Sequence, residues 1–183
     1  TPTTTLAYPF FDNMDGAPDN WLSSSWELAA GSGHSLPNTW SDSPKGNYAL
    51  DAWSELVLTN VIDLSTAKKP QLTFWHKYNL YDFQGYESGI GYVNEHDFGR
   101  VYVSNYFGKG GTWQPVAQYT GVQGEWVQVQ IDLSNYAGLN SVRIKFVLDD
   151  NRDTELSNGE NNHQRDGWYI DDVRVQDAPG DAV

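Results

Sequence analysis

Six stretches of this chain, residues 53–59, 71–78, 100–104, 126–131, 142–148 and 167–175, alternate apolar and polar side chains, and no window of 11 residues keeps a helical period. A repeat of two places alternate side chains on opposite faces of a strand, so each stretch has one face to bury and one to leave in water. Between them lie turn-forming clusters such as Asp42-Ser43-Pro44-Lys45-Gly46-Asn47 and Gly108-Lys109-Gly110-Gly111-Thr112. Short strands punctuated by turns, without alternating helices, predict an all-β antiparallel sandwich of jelly-roll type. Residues 64–69 and 134–138 are each expected to form a single helical turn. Two long polar stretches, 81–99 and 149–166, break the pattern and are expected to be loops.

Composition narrows the class further. The 183 residues suffice for one domain with its own core. With 24 acidic against 11 basic residues, the net charge of −13 disfavours nucleic acid and anionic lipid as partners. The same acidity favours hard cations such as Ca²⁺. Cysteine is absent, which removes disulfides, thiolate metal sites and thiol nucleophiles together, and makes a structural metal a natural staple. No apolar run reaches the length of about 18 residues that a membrane-spanning helix needs. The Thr/Pro-rich residues 1–8 and the small, acidic residues 177–183 read as linkers around a domain at 9–176, so the chain is expected to be an extracellular, monomeric module of a longer secreted protein.

Several motifs occur in a telling order. Phe10-Phe11-Asp12-Asn13 precedes Trp26 and Trp40-Ser41-Asp42-Ser43-Pro44, and Ile62-Asp63-Leu64-Ser65 precedes Leu72-Thr73-Phe74-Trp75-His76-Lys77-Tyr78. Val101-Tyr102-Val103-Ser104, Gly110-Gly111-Thr112-Trp113, Ile131-Asp132-Leu133-Ser134 and Asp166-Gly167-Trp168-Tyr169-Ile170-Asp171-Asp172-Val173 follow. The series resembles the MAM-like jelly-roll domain that follows the catalytic part of immune inhibitor A type metallopeptidases and accompanies related secreted proteases. That resemblance implies a Ca²⁺-stabilised sandwich without chemistry of its own.

The acidic candidates are Asp12, Asp15, Asp42, Asp171 and Asp172. Asp171 shares a strand parity with Tyr169, Val173 and Val175, so it is expected to point inward, where a carboxylate needs a cation or several donors. Adjacent terminal strands would bring Asp12 and Asp15 to it, with Asp42 and backbone carbonyls completing the roughly six to eight oxygens that calcium takes. Capping of backbone amides by Asp171 is the alternative. A second cluster, Asp149, Asn151 and Asp153, matches the first ligand positions of an EF-hand loop, but Thr154 stands where that loop has glycine.

No His-Glu-x-x-His or Gly-x-Ser-x-Gly occurs, and the four histidines are isolated, so no catalytic residue is assigned. Aromatic side chains carry the rival reading. Tyr81, Phe83, Tyr86, Tyr92 and Trp113 are candidates for stacking sugar rings, whereas Trp26, Trp75, Trp126 and Trp168 are expected to fill the core. The first expectation is therefore a non-catalytic accessory module of a secreted bacterial hydrolase, a protease, acting on its adjoining catalytic domain or on a protein or polysaccharide substrate. The alternatives are a carbohydrate-binding module for an extracellular glycan and a surface adhesion module.

Overall fold

The computed structural model describes residues 4–16, 18–105, 112–151 and 163–180. In chain order its strands are β1 (Thr5–Leu6), β2 (Phe10–Asp12), β3 (Trp21–Ser23), β4 (Glu27–Ala30), β5 (Asn38–Ser41), β6 (Trp53–Leu58), β7 (Val61–Ile62) and β8 (Pro70–Asn79). They continue as β9 (Asp82–Glu87), β10 (Gly91–His96), β11 (Phe98–Asn105), β12 (Trp113–Tyr119), β13 (Val122–Asp132), β14 (Val142–Asp149) and β15 (Gly167–Asp177). Two main sheets face each other as a jelly-roll sandwich, as the alternation predicts. One contains β1, β7, β14, β11, β12, β6 and β3; the other contains β13, β8, β15, β5, β4 and β2.

Each expected strand is present; β6 ends one residue early at Leu58, and the other five grow by a residue or more, because backbone pairing extends past the point where side-chain alternation stops. Residues 134–136 form a single 3-10 turn as expected, whereas residues 64–69 make only a bend and hydrogen-bonded turns. The polar stretch 81–99 is not a loop. It folds into the hairpin β9–β10, a two-stranded sheet of its own, and leads into β11. Its polarity misleads because one face of this hairpin stays in solvent. The sheets also take in flanking chain. Thr5–Leu6 pairs in parallel with Val61–Ile62, and Tyr8 donates a 2.8 Å hydrogen bond to Asp177 Oδ1.

The core lies between the inner faces. Phe74, Phe146 and Trp168 meet edge to face, with centroids 5.1 Å and 5.8 Å apart, and Trp26 adds a similar contact with Trp168. Such contacts suit the ring quadrupole. His76 is buried among these rings and accepts a 3.2 Å hydrogen bond at Nδ1 from Trp168 Nε1. Burial pushes its pKa down to about 4. Gly99 sits against the Trp168 ring so closely that a Cβ there would lie 2.8 Å from Cε3. Of the four tryptophans expected inside, Trp26 and Trp168 are buried, but Trp75 and Trp126 stand on the outer face of the second sheet.

Candidate functional site: an amide-lined groove on the outer face of the second sheet

Strand β8 runs between β13 and β15, and its pairing sets out rows of side chains. Leu72, Phe74 and His76 point to the core, so Gln71, Thr73 and Trp75 point outward. Across the sheet, Gln128 stands opposite Trp75, and Gln130 opposite Thr73. On the other side Arg174 faces Thr73 and Gln176 faces Gln71, while Phe11 on β2 faces Arg174. One row therefore reads Gln130, Thr73, Arg174, Phe11 over four strands. Together these residues line an open groove of about 410 Å³.

The groove combines neutral amides, a hydroxyl, flat aromatic surface, one fork-shaped cation and, at one end, the Asp172 carboxylate. Phe11 is 50% exposed, and the Arg174 guanidinium carbon lies 4.4 Å from its ring centroid. Lys77, one row beyond Trp75, spans Trp126 and Tyr169 at 5.2 Å and 4.9 Å. Glutamine amides donate and accept in the same plane, which matches vicinal hydroxyls, and aromatic faces take the apolar face of a pyranose ring. Nothing in the pattern supplies a nucleophile with its base. None of the four glutamines stands out in sequence, because an outward glutamine on a strand reads as ordinary solvated surface.

The irregularity in β15 shapes the groove's far end. Between Asp171 and Arg174 the register with β8 shifts, and Asp172 takes a positive φ of 49°. The bulge reverses the parity assumed from sequence. Asp171 stands opposite the outward Trp75, whereas Val173 and Val175 return to the core. Asp171 is nonetheless fully buried, because residues 33–38 fold over it. Its Oδ2 accepts from the Ser35 amide at 3.0 Å and its Oδ1 from the Asp172 amide at 2.8 Å. Burial, opposed by these amides and reinforced by the Asp172 charge, pushes its carboxyl up to about 7.

The five carboxylates expected to form one calcium shell do not converge. Among the described residues, no three His, Asp or Glu side chains are placed to hold a metal ion. Although β2 does pair with β15, Asp12 is spent on the amide of Met14, the Asn20 side chain and the Trp21 indole. Asp15 accepts from the Asn38 amide and from Asn13. Asp42 accepts a 2.6 Å hydrogen bond from the Trp168 amide at the start of β15, and burial pushes its carboxyl up to about 7. Asp172 holds His34 Nδ1 at 2.7 Å and Ser35 Oγ at 3.0 Å. What does converge is a mixed set beside Gly33. A Cβ there would overlap the Ser35 carbonyl oxygen and lie 2.5 Å from that of Asn38 and 2.9 Å from Asp171 Oδ2. A carboxylate with carbonyls is the donor chemistry of a hard cation. In the second acidic cluster, Asp149 pairs with Arg100, and Asp153 lies outside the described residues.

The aromatic residues singled out from sequence part company. Tyr81 is buried, stacked on His163 at 4.1 Å with Arg165 over its ring, so it offers no platform. His163 in turn holds Glu95 at 2.7 Å and Glu87 at 3.1 Å, fastening the inner face of the hairpin. Tyr86 and Tyr92 are directly paired on the outer face and are 83% and 64% exposed. Phe83 lies on the opposite hairpin face, at the margin of exposure. Trp113 belongs to the other main sheet and is covered by Lys145 at 4.9 Å and Arg143 at 5.7 Å.

The fold defines the class as an all-β jelly-roll sandwich, here with an amide and aromatic groove on one outer face. Known structures share the sandwich fold. The CBM22-1 xylan-binding domain of Paenibacillus barcinonensis Xyn10C superposes with a TM-score of 0.53 over 93% of this chain and 95% of that one, at 12% identity. The C-terminal family 22 carbohydrate-binding module of Clostridium thermocellum Xyn10B gives 0.55 over 95% and 94%, at 10% identity. In sequence, the chain is 29% identical over 188 aligned residues to Bacillopeptidase F of Bacillus subtilis, covering 96% of this chain but only 11% of that protein. No family model matches. The motif series names a MAM-like domain; these structural matches carry the resemblance as far as the jelly roll.

Proposed function

We propose that the domain is a non-catalytic carbohydrate-binding module, and that the groove over β8 is its glycan site. The carrying observation is the row structure of that face, where Gln71, Gln128, Gln130 and Gln176 surround Thr73, Trp75 and Arg174. Pocket walls made of a few oriented polar groups beside apolar surface are the general form of small-ligand sites. The xylan-binding structural neighbours support the reading at the level of fold. The likeness to a stretch of Bacillopeptidase F supports an extracellular module of a longer chain; in this proposal it acts as a monomer and positions an adjoining catalytic domain on a polysaccharide.

A structural Ca²⁺ is part of this proposal. Asp171 Oδ2 with the Ser35 and Asn38 carbonyls would supply three of its roughly six to eight oxygens, and the ion would supply charge compensation for a buried carboxylate. Asp171, through the Ser35 amide, already ties residues 33–38 to β15. Affinity electrophoresis on xylan, cellulose, mannan and chitin tests the glycan reading. Retardation by at least one of them, lost in Gln128→Ala/Gln130→Ala but kept in Tyr86→Ala/Tyr92→Ala, is expected. Loss only in the tyrosine pair would move the site to the hairpin, and no retardation on any gel would sink the reading.

A further inference from the structure

The groove is unusual in its charge. In a chain with 24 acidic and 11 basic residues, a cation would be expected to find a carboxylate quickly. Three described cations do so: Lys45 pairs with Glu27, Arg100 with Asp149 and Lys145 with Glu55. Arg174 and Lys77 do not. Among the described residues neither takes part in an ion pair, and both stand on the outer face of the same sheet, held by aromatic rings.

The nearby carboxylates are already engaged. Asp172 has one oxygen on His34 and the other on Ser35 Oγ. Asp132 accepts from the amide and hydroxyl of Ser134, and Asp177 from two backbone amides and Tyr8. Phe11 meanwhile supports the Arg174 guanidinium from β2, while Thr73 and Gln130 continue the same row. A guanidinium held by a ring keeps its fork pre-organised and available for a planar anion, and a carboxylate is the anion that fits it with two parallel hydrogen bonds.

From this arrangement we infer that the glycan of the β8 groove is an acidic one, a chain bearing uronic acid residues, with Arg174 binding the sugar carboxylate and the glutamines binding ring hydroxyls. The inference rests on the glycan reading of this groove and specifies its ligand class. Arg174 sets specificity by charge and fork geometry. Lys77 adds a second positive charge further along β8. The net acidic surface repels polyanions in general.

Calorimetric titration of the 183-residue chain with oligogalacturonate, glucuronoxylan oligosaccharides, their carboxyl-reduced forms and dextran sulfate tests it. At least one uronate oligosaccharide is expected to bind about tenfold more tightly than its reduced form, the worth of one charge-assisted pair. Arg174→Gln should erase that preference, and Arg174→Lys should recover only part of it. Thermal melts of both variants should match the parent; if Arg174→Gln melts early, Lys77→Gln and the salt dependence of binding carry the test. Equal affinity for acidic and reduced forms overturns the uronate inference while leaving glycan binding standing. Dextran sulfate binding as tightly as oligouronate also overturns it. Failure of every oligosaccharide to bind overturns both readings.

Discussion

His34 lies flat on Trp75, with ring centroids 3.8 Å apart and planes 10° from parallel. The histidine sits on the segment joining β4 to β5 and is anchored at Nδ1 by Asp172 Oδ2, 2.7 Å away. It thus occupies one stacking face of the largest aromatic surface lining the groove. On the proposed glycan reading, a sugar ring would use that face only by displacing the imidazole, which makes His34 a competitor of the ligand.

His34→Ala should therefore tighten glycan binding. An aromatic pair of this kind is worth about 0.5–1.5 kcal/mol, so affinity should rise about threefold to tenfold. Calorimetric titration measures it, and acrylamide quenching of tryptophan emission should increase in the free variant. A weaker affinity would instead make His34 part of the ligand's own contact.

Gly33→Ala should damage the fold and abolish any response to calcium at once. The added methyl collides with the Ser35 carbonyl and crowds Asn38 and Asp171, in the space where those oxygens meet. For the parent chain, removing Ca²⁺ with EDTA should lower the melting temperature by about 5–10 °C, which corresponds to a ligand held well above its dissociation constant. Asp171→Asn should melt alike with and without EDTA. A parent melting curve indifferent to EDTA would remove the calcium proposal.

His76 should make the domain sensitive to mild acid. Its folded pKa is lowered from 6.5 to about 4 by burial. Between those values the unfolded chain binds a proton that the folded chain does not, so stability is full above about pH 7 and falls as pH drops toward 4. The shift corresponds to roughly 3 kcal/mol. Asp42 acts oppositely, since its folded pKa is raised to about 7 and protonation favours the native state. Urea unfolding of the parent and of His76→Gln at pH 7.5 and 4.5 isolates the histidine: the variant should lose less stability on acidification. Parallel losses in the two proteins would contradict this.

Gly99→Ala should cost about 1–3 kcal/mol, the usual penalty for overfilling a packed core. The methyl would lie within 2.8 to 3.0 Å of three ring carbons of Trp168, which Phe146 and Trp26 hold from other sides. A pairing of Gly99→Ala with Trp168→Phe should recover part of the loss in a thermal melt. Additive losses would show that the ring is not the obstacle.

Much of the scaffold was legible in the residues themselves. Alternation marked β6, β8, β11, β13, β14 and β15, because burying one face of a strand imposes a period of two on its side chains. Short strands such as β1, β2 and β7 carry too few residues to show a period, and they exist through their partners. The hairpin β9–β10 was hidden by its own polarity, since Asp82, Gln84, Asn94 and His96 share its outer face with Tyr86 and Tyr92.

The site divides in the same way. Sequence by itself determined that this chain folds as a β-sandwich and that Asp171, set among strand-forming residues, would demand compensation. Only the tertiary structure decided where that compensation comes from, because a bulge at Asp172 reverses the face of every later residue, and the Ser35 and Asp172 amides that donate to Asp171 belong to the backbone, which no side-chain pattern reveals. The groove was likewise decided in three dimensions. Gln71, Gln128, Gln130, Arg174 and Gln176 are dispersed over three strands and carry no signal alone. Strand register brings them together beside Trp75, and contact across strands depends on that register, not on distance along the chain.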